Sequence, residues 1–510
     1  MFIKFRNFIN KYWDVLIFAV LFITMMVLSF LRIKDFDIAF TYDQAREMAE
    51  IRRMIFTRTP LLIGPATDII GLYYGPFWAY FNSIPFVLSG GNPLWLVRFQ
   101  ILTLHIISLV IYFVLRKKNK ILAFYSASLF LFSPIAAFSI KFSWNANSAY
   151  YFAALLPLFI FYKSKISSFL EGLLCGFILQ VEAAVGILFF PISLFLHTRR
   201  SKKDRQLIPL ILGFFVTLLP QIVFEVRHGF LMTRSTLGEF SGGTDWLGQK
   251  LSISDMLLNR FTYFKSIFSG ATELPWLFVI ATIALALILG KRDSENTKFI
   301  KTNLFIIFAF LIFFLIFPFN IRDWYLYGLV PFSIYAFASA LTIIYAKSWG
   351  KFFTVFIIGF TIFSSISTKV TYLSVEKGYS NDLANLKNML TVVDNIYHEA
   401  SGSAFKVYTY TPQVFDLRFQ YLFWWYGTKQ YGYQPSDMSY FPGVPEYIKD
   451  NSVFWTKKKE SDHDLIFLII EHDPTTMSGE INWRNNFPAS SRKISLPWNT
   501  IIEKIDPKLK

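Results

Sequence analysis

The sequence predicts a mainly α, polytopic membrane protein with a C-terminal extracytoplasmic α/β domain. Three observations predict it. Hydrophobic residues make up 54% of the 510 residues, 59 of them Phe, and only 16% are charged, where a soluble chain carries roughly a quarter. The apolar residues come in blocks long enough to cross a bilayer. The net charge of +16 is unevenly held: residues 369–510 contain 16 basic and 16 acidic residues, so the whole excess lies in 1–368. A solvated globule and a disordered chain are thereby excluded. The basic residues sit in short runs between apolar blocks, as topology signals do and a nucleic-acid-binding face does not. The one cysteine, Cys175, falls inside an apolar block, which excludes a disulfide framework.

The first apolar block, 15–31, follows Lys4, Arg6 and Lys11 and is not followed by a small-residue cleavage site. It reads as a retained signal-anchor helix with a cytoplasmic N-terminus. Basic clusters then recur at 116–120, at Lys163 and Lys165, at 199–205, at Lys291, Arg292 and Lys298, and at Lys347 and Lys351. If all are cytoplasmic, an even number of crossings separates each pair. Helices near 94–115, 121–139, 148–162, 166–181, 183–197, 207–224, 275–290, 299–318, 323–346 and 352–368 satisfy this, giving about eleven transmembrane helices with the first. Residues 74–90 would flip every later cluster if they crossed, so they read as an interfacial segment on the outer side.

The domain division follows. Residues 1–368 form the transmembrane domain, with outer loops at about 32–93 and 225–273, and 369–510 form the soluble outer domain. The latter has strand-like runs at 405–410 and 465–470 and an aromatic, helix-like stretch at 417–426.

The first outer loop opens with Phe40-Thr-Tyr-Asp-Gln-Ala-Arg-Glu-Met-Ala-Glu-Ile-Arg-Arg-Met-Ile. Asp43, Glu47 and Glu50 share one helical face, and Ala45, Met48, Ile51 and Ile55 lie largely on another. Arg46 and Glu50 are spaced as an i,i+4 pair. One reading is an amphipathic helix lying on the bilayer surface. In a second, Asp43, near the outer headgroups, deprotonates a nucleophile. In a third, Asp43 is a helix N-cap.

Asp43, Arg46, Glu50, Ile51 and Met54 are spaced Asp-x-x-Arg-x-x-x-Glu-Ile-x-x-Met. This resembles the first-loop signature of the GT-C superfamily of membrane glycosyltransferases, which includes protein O-mannosyltransferases and the lipid A aminoarabinose transferase. The signature usually reads Asp-Glu, and this chain has Asp43-Gln44. Gly75-Pro-Phe-Trp-Ala-Tyr is similar to the family's juxtamembrane helix, and Gly91-Asn-Pro with Arg98 to the start of its second membrane helix. The plan of outer loops and outer C-terminal domain is GT-C-like as well.

The resemblance implies an inverting transfer of a hexosyl or pentosyl unit from a polyprenyl-phosphate donor to an envelope glycan, lipid or protein, at the outer face of the lipid bilayer. Asp43 is then the catalytic base. The donor phosphate needs cations at the outer helix ends, which Arg227, His228 and Arg322 supply, with Arg98 and Arg234 as weaker candidates. Gln44, Glu50 and Tyr74 become acceptor or sugar contacts. So do Asn145 and Asn147, which stand where the family often has an acid, although Asn also caps helices. Gln180 and Glu182 line a polar cavity or form a water-exposed helix end. Trp424-Trp425-Tyr426 is a sugar-stacking platform or plain core.

No cofactor is certain from the sequence, and divalent-metal dependence is left open. His463-x-Asp and His472-Asp lack zinc spacing, and no Walker or dinucleotide-binding motif opens a helix after a strand. Two alternatives remain at this point. A lipid-diphosphate-dependent polysaccharide ligase or polymerase shares the setting, but its usual large loop lies late in the chain. A transporter or flippase usually shows inverted repeats and midplane charges, whereas here no repeat is visible and the ionisable residues gather at helix ends.

Overall fold

The computed structural model describes residues 2–67, 70–141, 143–159, 161–242, 252–317, 321–375, 383–412, 416–442 and 464–509. The chain folds into two compact units. A helical unit comprises Met1–Leu31, Leu61–Trp78 and Arg98–Tyr372, and a sheet unit comprises Arg32–Pro60, Ala79–Val97 and Leu373–Lys510.

The first helices in chain order are α1 (Phe2–Arg32), α2 (Tyr42–Thr57), α3 (Phe77–Ser89), α4 (Pro93–Arg116), α5 (Lys120–Phe132), α6 (Pro134–Ser139), α7 (Asn145–Ala153) and α8 (Leu156–Phe159). Then come α9 (Lys165–Val181), α10 (Ala183–Thr198), α11 (Leu207–Arg227), α12 (Leu231–Gly242) and α13 (Ile253–Ser269). After α14 (Trp276–Leu289) and α15 (Glu295–Ile316), a 3₁₀ turn at Asp323–Leu329 leads into α16 (Val330–Tyr345) and then α17 (Gly350–Val375).

The chain is a mainly α, multi-pass membrane protein with a small C-terminal sheet. Among the described residues every stretch expected to cross is mainly helical, and six described helices are long and apolar enough to cross alone: Lys11–Arg32, Pro93–Arg116, Leu207–Arg227, Glu295–Ile316, Asp323–Tyr345 and Gly350–Thr371. The stretches at 121–139 and 148–162 are each divided into two helices. Ser133 makes the first division, capping α6 by accepting the Ala136 N–H at 3.1 Å just ahead of Pro134. The 74–90 stretch yields only the 13-residue α3, about 20 Å of helix against ~30 Å of hydrocarbon. Rows of exposed apolar side chains, such as Val20, Ile23 and Val27 on α1 and Leu212, Val216, Leu219 and Val223 on α11, form the lipid-facing surface.

Within the helical unit, α16 is enclosed by α5, α14 and α15, and α9 packs against α10 and α11. Gly172 and Gly176 let the α9 and α11 backbones approach, since a Cβ at Gly172 would stand 2.1 Å from the Leu210 carbonyl oxygen. All the basic clusters gather at one end of this unit. Lys118 lies 3.9 Å from Glu295 and 5.9 Å from the Phe161 ring, Lys163 pairs with Asp204 at 2.7 Å, and Arg200 reaches the Phe159 carbonyl at 3.5 Å. Tyr125 donates to Thr354 at 3.0 Å and meets Tyr345 edge-on, which brings in the Lys347 and Lys351 cluster.

The sheet unit adds α18 (Leu386–Ala400), β1 (Phe405–Tyr410) and α19 (Leu417–Leu422), which runs through a π turn at Phe423–Gly427 into α20 (Thr428–Tyr431). It closes with β2 (Asp437–Ser439), β3 (Leu465–Glu471), α21 (Met477–Arg484), β4 (Arg492–Leu496) and β5 (Thr500–Ile505). The strand order is β2-β1-β3-β5-β4, with β1 parallel to both β2 and β3 and β5 antiparallel to β3 and β4. The central strands are apolar on both faces, as a covered parallel sheet requires. One face packs Tyr408, Tyr410, Leu468 and Ile470 against Trp483 and Phe487.

Candidate functional site

In the sheet unit, the chain before α2 is pinned to the start of α18. Phe40 N–H donates to the Ala384 carbonyl at 2.6 Å, Leu386 N–H to that of Ile38 at 2.9 Å, and the Asn385 amide to Asp37 at 2.6 Å. Thr41, not Asp43, is the N-cap of α2: the Gln44 amide oxygen accepts the Thr41 N–H at 2.8 Å in a capping box. Gln44 is buried in that role.

The apolar face of α2 is buried within the protein, which corrects the reading of a helix lying on the bilayer. Ala45, Met48, Ile51 and Met54 are buried, and α2 packs on α19. Arg52 is only 1% exposed. Its guanidinium lies 4.8 Å from the Trp424 ring centre and 5.9 Å from that of Tyr421. Tyr421 in turn donates to the Gly91 carbonyl at 2.5 Å, and Trp424 stacks on Phe86. The aromatic run therefore supports the loop helix: Trp425 is buried, and Trp424 is occupied by protein neighbours. Sequence reasoning passed over Arg52, although a helical wheel puts it on the same face as Ala45 and Met48.

The opposite face of α2 carries Asp43, Arg46 and Glu50. The Asp43 side chain is 42% exposed and pairs with Arg46 at 3.0 Å. That i,i+3 pair takes up the guanidinium expected to serve Glu50. Arg46 also lies over the Tyr42 ring at 5.5 Å. Burial pushes the Glu50 carboxyl up, against the pull of Arg46 and Arg53. Burial likewise raises the Tyr42 phenol. The result is an exposed carboxylate, oriented by a guanidinium, on a helix whose rotation the buried Arg52 fixes.

The helical unit holds the other candidates, all at the end away from the basic clusters. Next to an antiparallel bridge between Ala66 and Tyr73, the Tyr74 N–H donates to the Pro65 carbonyl at 2.9 Å. Gln180 secures the chain that follows. Its carbonyl accepts the Gly75 N–H at 2.9 Å, its side-chain oxygen accepts the Phe77 N–H at 3.1 Å, and its side-chain nitrogen donates to the Thr217 carbonyl at 2.5 Å. A Cβ at Gly75 would lie 2.2 Å from Gln180 Cγ, so glycine is needed for this approach. Gln180 and Glu182 are each 1% exposed, and Glu182 caps α10. Neither is a water-exposed helix end, because both are buried and backbone groups occupy Gln180 and Glu182 Oε1.

Asn145 is the first residue of α7, after the cap residue Trp144, and its amide donates to the Val181 carbonyl at 3.0 Å. Asn145 and Asn147 are both buried. Arg227 closes α11 and is exposed, where a cation suits the helix dipole. His228 donates Nδ1–H to the Phe224 carbonyl at 2.8 Å and stacks on that ring. Arg322 is exposed above the Trp324 ring at 5.8 Å, and Trp324 meets Trp144 edge-on. The buried Arg260 holds this segment: it donates to the Phe314 and Phe317 carbonyls at 3.0 and 2.9 Å, and its neighbour Asn259 reaches the Ile321 carbonyl at 3.4 Å. Tyr74, Asn145, Arg227, His228 and Arg322 thus share one end of one unit, while Asp43, Gln44 and Glu50 belong to the other unit.

Among the described residues no group of three or more His, Cys, Asp or Glu side chains is placed to hold a metal. His472 instead pairs with Glu480 at 2.8 Å, and His463 lies outside the described residues.

The whole chain is similar in structure to ArnT from Cupriavidus metallidurans. The crystal structure of ArnT bound to undecaprenyl phosphate aligns with a TM-score of 0.56 at 12% identity, over 96% of this chain and 98% of that one. The apo structure aligns at 0.54 and 13%, over 97% and 98%. The chain has the fold of these two structures. No protein-family model matches the sequence, and no curated protein does.

Proposed function

We propose that this chain is a membrane glycosyltransferase of the GT-C type. It moves a hexosyl or pentosyl unit from a polyprenyl-phosphate carrier to an envelope acceptor outside the cytoplasm. The observation that carries the reading is the exposed Asp43 carboxylate, held by Arg46 at 3.0 Å on a helix fixed from behind. The ArnT structure bound to undecaprenyl phosphate supports the lipid class. The positive-inside rule puts the basic end of the helical unit in the cytoplasm, so the end with Arg227 and Arg322 faces outward. Residues 1–368 are then the membrane domain and 369–510 the extracytoplasmic domain.

In the proposed reaction the acceptor hydroxyl attacks the anomeric carbon from the face opposite the phosphate. Its proton passes to Asp43. The bond from the anomeric carbon to the phosphate oxygen breaks, and the polyprenyl phosphate leaves with the electron pair, so the configuration inverts. Arg227 and Arg322, with His228, bind the donor phosphate and stabilise the charge that grows on it. Glu50, Tyr74, Asn145 and Asn147 are the proposed contacts to sugar or acceptor, with Gln44 acting through the cap of α2.

The test is transfer of radiolabelled sugar from synthetic polyprenyl-phosphate sugars to envelope extract, with wild type beside Asp43→Asn. Transfer by wild type and its loss in a folded variant are expected. Full activity of the variant would remove Asp43 as the base. No transfer from any monophosphate donor would favour a lipid-diphosphate donor.

A further inference from the structure

The geometry points to a monosaccharide-binding pocket in the helical unit, built around Asp323 and assigned no role above. α6, α13 and the 3₁₀ turn before α16 line an open cavity of about 330 Å³, whose lining includes Phe138, Ser266, Ser269, Asp323, Tyr327 and Val330. That volume lies at the lower end of small-molecule sites.

Asp323 is set apart by its partners. Four carboxylates fall within the apolar spans. Asp14 is paired with Arg116 at 2.7 Å, Glu295 lies 3.9 Å from Lys118, and Glu225 accepts the Met232 and Thr233 N–H groups at 2.7 and 3.0 Å. Asp323 stands at the head of the most deeply buried span and forms no ion pair among the described residues. Its Oδ2 accepts the Tyr327 hydroxyl at 2.9 Å, and no described residue donates to Oδ1. An ionisable group at such a place is a functional candidate by default.

The chemistry of the lining selects the ligand. A carboxylate oxygen only accepts, so the ligand must supply donors. The rings of Phe138 and Tyr327 meet at 70° with centroids 5.9 Å apart and give two apolar walls at a steep angle. Ser266 and Ser269 add hydroxyls from α13. A pyranose or furanose presents hydroxyl donors on its edge and C–H groups on its face, which matches a carboxylate beside aromatic walls. Choosing a glycosyl unit over other hydroxylated ligands rests on the glycosyl-transfer reading.

The test uses the full-length protein in detergent, titrated with a panel of methyl glycosides and read by saturation-transfer NMR and calorimetry. Wild type is expected to saturate with at least one glycoside. Asp323→Asn should weaken that binding about tenfold, the equivalent of ~1.4 kcal/mol, and Ser269→Phe should block it by filling the cavity. Equal binding in both variants would overturn the pocket. So would no saturation of wild type up to about 100 mM, or saturation by ethanolamine and by no glycoside. If Asp323→Asn fails to fold, Ser269→Phe decides. Sugar transfer measured in parallel separates the two readings. Binding without transfer would sink the transferase reading and leave the pocket, and transfer with unchanged binding in the variants would do the reverse.

Discussion

The guanidinium of Arg52 lies 4.8 Å from the ring centre of Trp424, almost wholly out of solvent. Burial pushes its pKa down to about 10, so it remains a cation at neutral pH. It joins the loop helix α2 to the aromatic stretch of the C-terminal segment. Arg52→Ala should cost about 2–4 kcal/mol through lost packing and cavity formation. Arg52→Met should cost less, because a buried ion replaced by an apolar group of similar volume is often tolerated. Thermal unfolding followed by tryptophan fluorescence checks the order.

Arg46 orients Asp43 without holding the fold together. A partly exposed ion pair contributes roughly 0–1 kcal/mol to stability, so Arg46→Ala should leave the unfolding temperature nearly unchanged while lowering kcat. Asp43→Asn should lower kcat by about 10²–10⁴, the range for a lost general base. Steady-state transfer measured beside thermal unfolding separates the two effects.

Arg227 and Arg322 should act on donor affinity. Replacing either with Ala is expected to weaken binding of a polyprenyl phosphate by roughly tenfold, as the loss of one charge-assisted contact costs about 1.5–3 kcal/mol. The salt dependence of binding should flatten in both variants. Equilibrium binding at two ionic strengths tests this, and unchanged affinity in both variants would exclude them from the phosphate site.

Asp416 caps α19 by accepting the Phe419 N–H at 3.3 Å, and burial raises its pKa to about 8 despite the Thr409 hydrogen bond and nearby Arg418. A carboxyl raised on folding stabilises the folded state fully below the ordinary carboxylate range, and that stability is lost as pH rises through about 8. Hydrogen-exchange protection of β1 and α19 should therefore fall between about pH 4 and 8 and level off above that. Asp416→Asn keeps a capping side chain and should flatten the profile.

Asp14 is fully buried and receives both the Tyr112 hydroxyl at 2.8 Å and Arg116 Nε at 2.7 Å. Asp14→Ala leaves the partly exposed guanidinium without its carboxylate and the Tyr112 hydroxyl without its acceptor, at a cost of about 1–3 kcal/mol. Asp14→Leu combined with Arg116→Met should regain much of that loss, since both charges leave together. Unfolding of the single and paired variants tests the coupling.

The sequence by itself determined what depends on local pattern. Apolar blocks of crossing length marked the helices, because hydrocarbon leaves the backbone no other partner. Alternating basic clusters placed their helix ends together, and apolar runs at 405–410 and 465–470 marked the strands that the sheet contains. Asp43 was visible as an early carboxylate on a helical face. Only the tertiary structure decided which neighbour each face meets. Thr41 rather than Asp43 caps α2, because the Gln44 side chain reaches back to it. The apolar face of α2 lies against α19 rather than on lipid, because Tyr421 and Trp424 come from a distant segment to cover Arg52. Gln180 is a staple because the chain at Gly75 passes within hydrogen-bonding reach of it. Periodicity tells which side of a helix is apolar, but the partner of that side depends on contacts between segments far apart in the chain, and no local pattern encodes them.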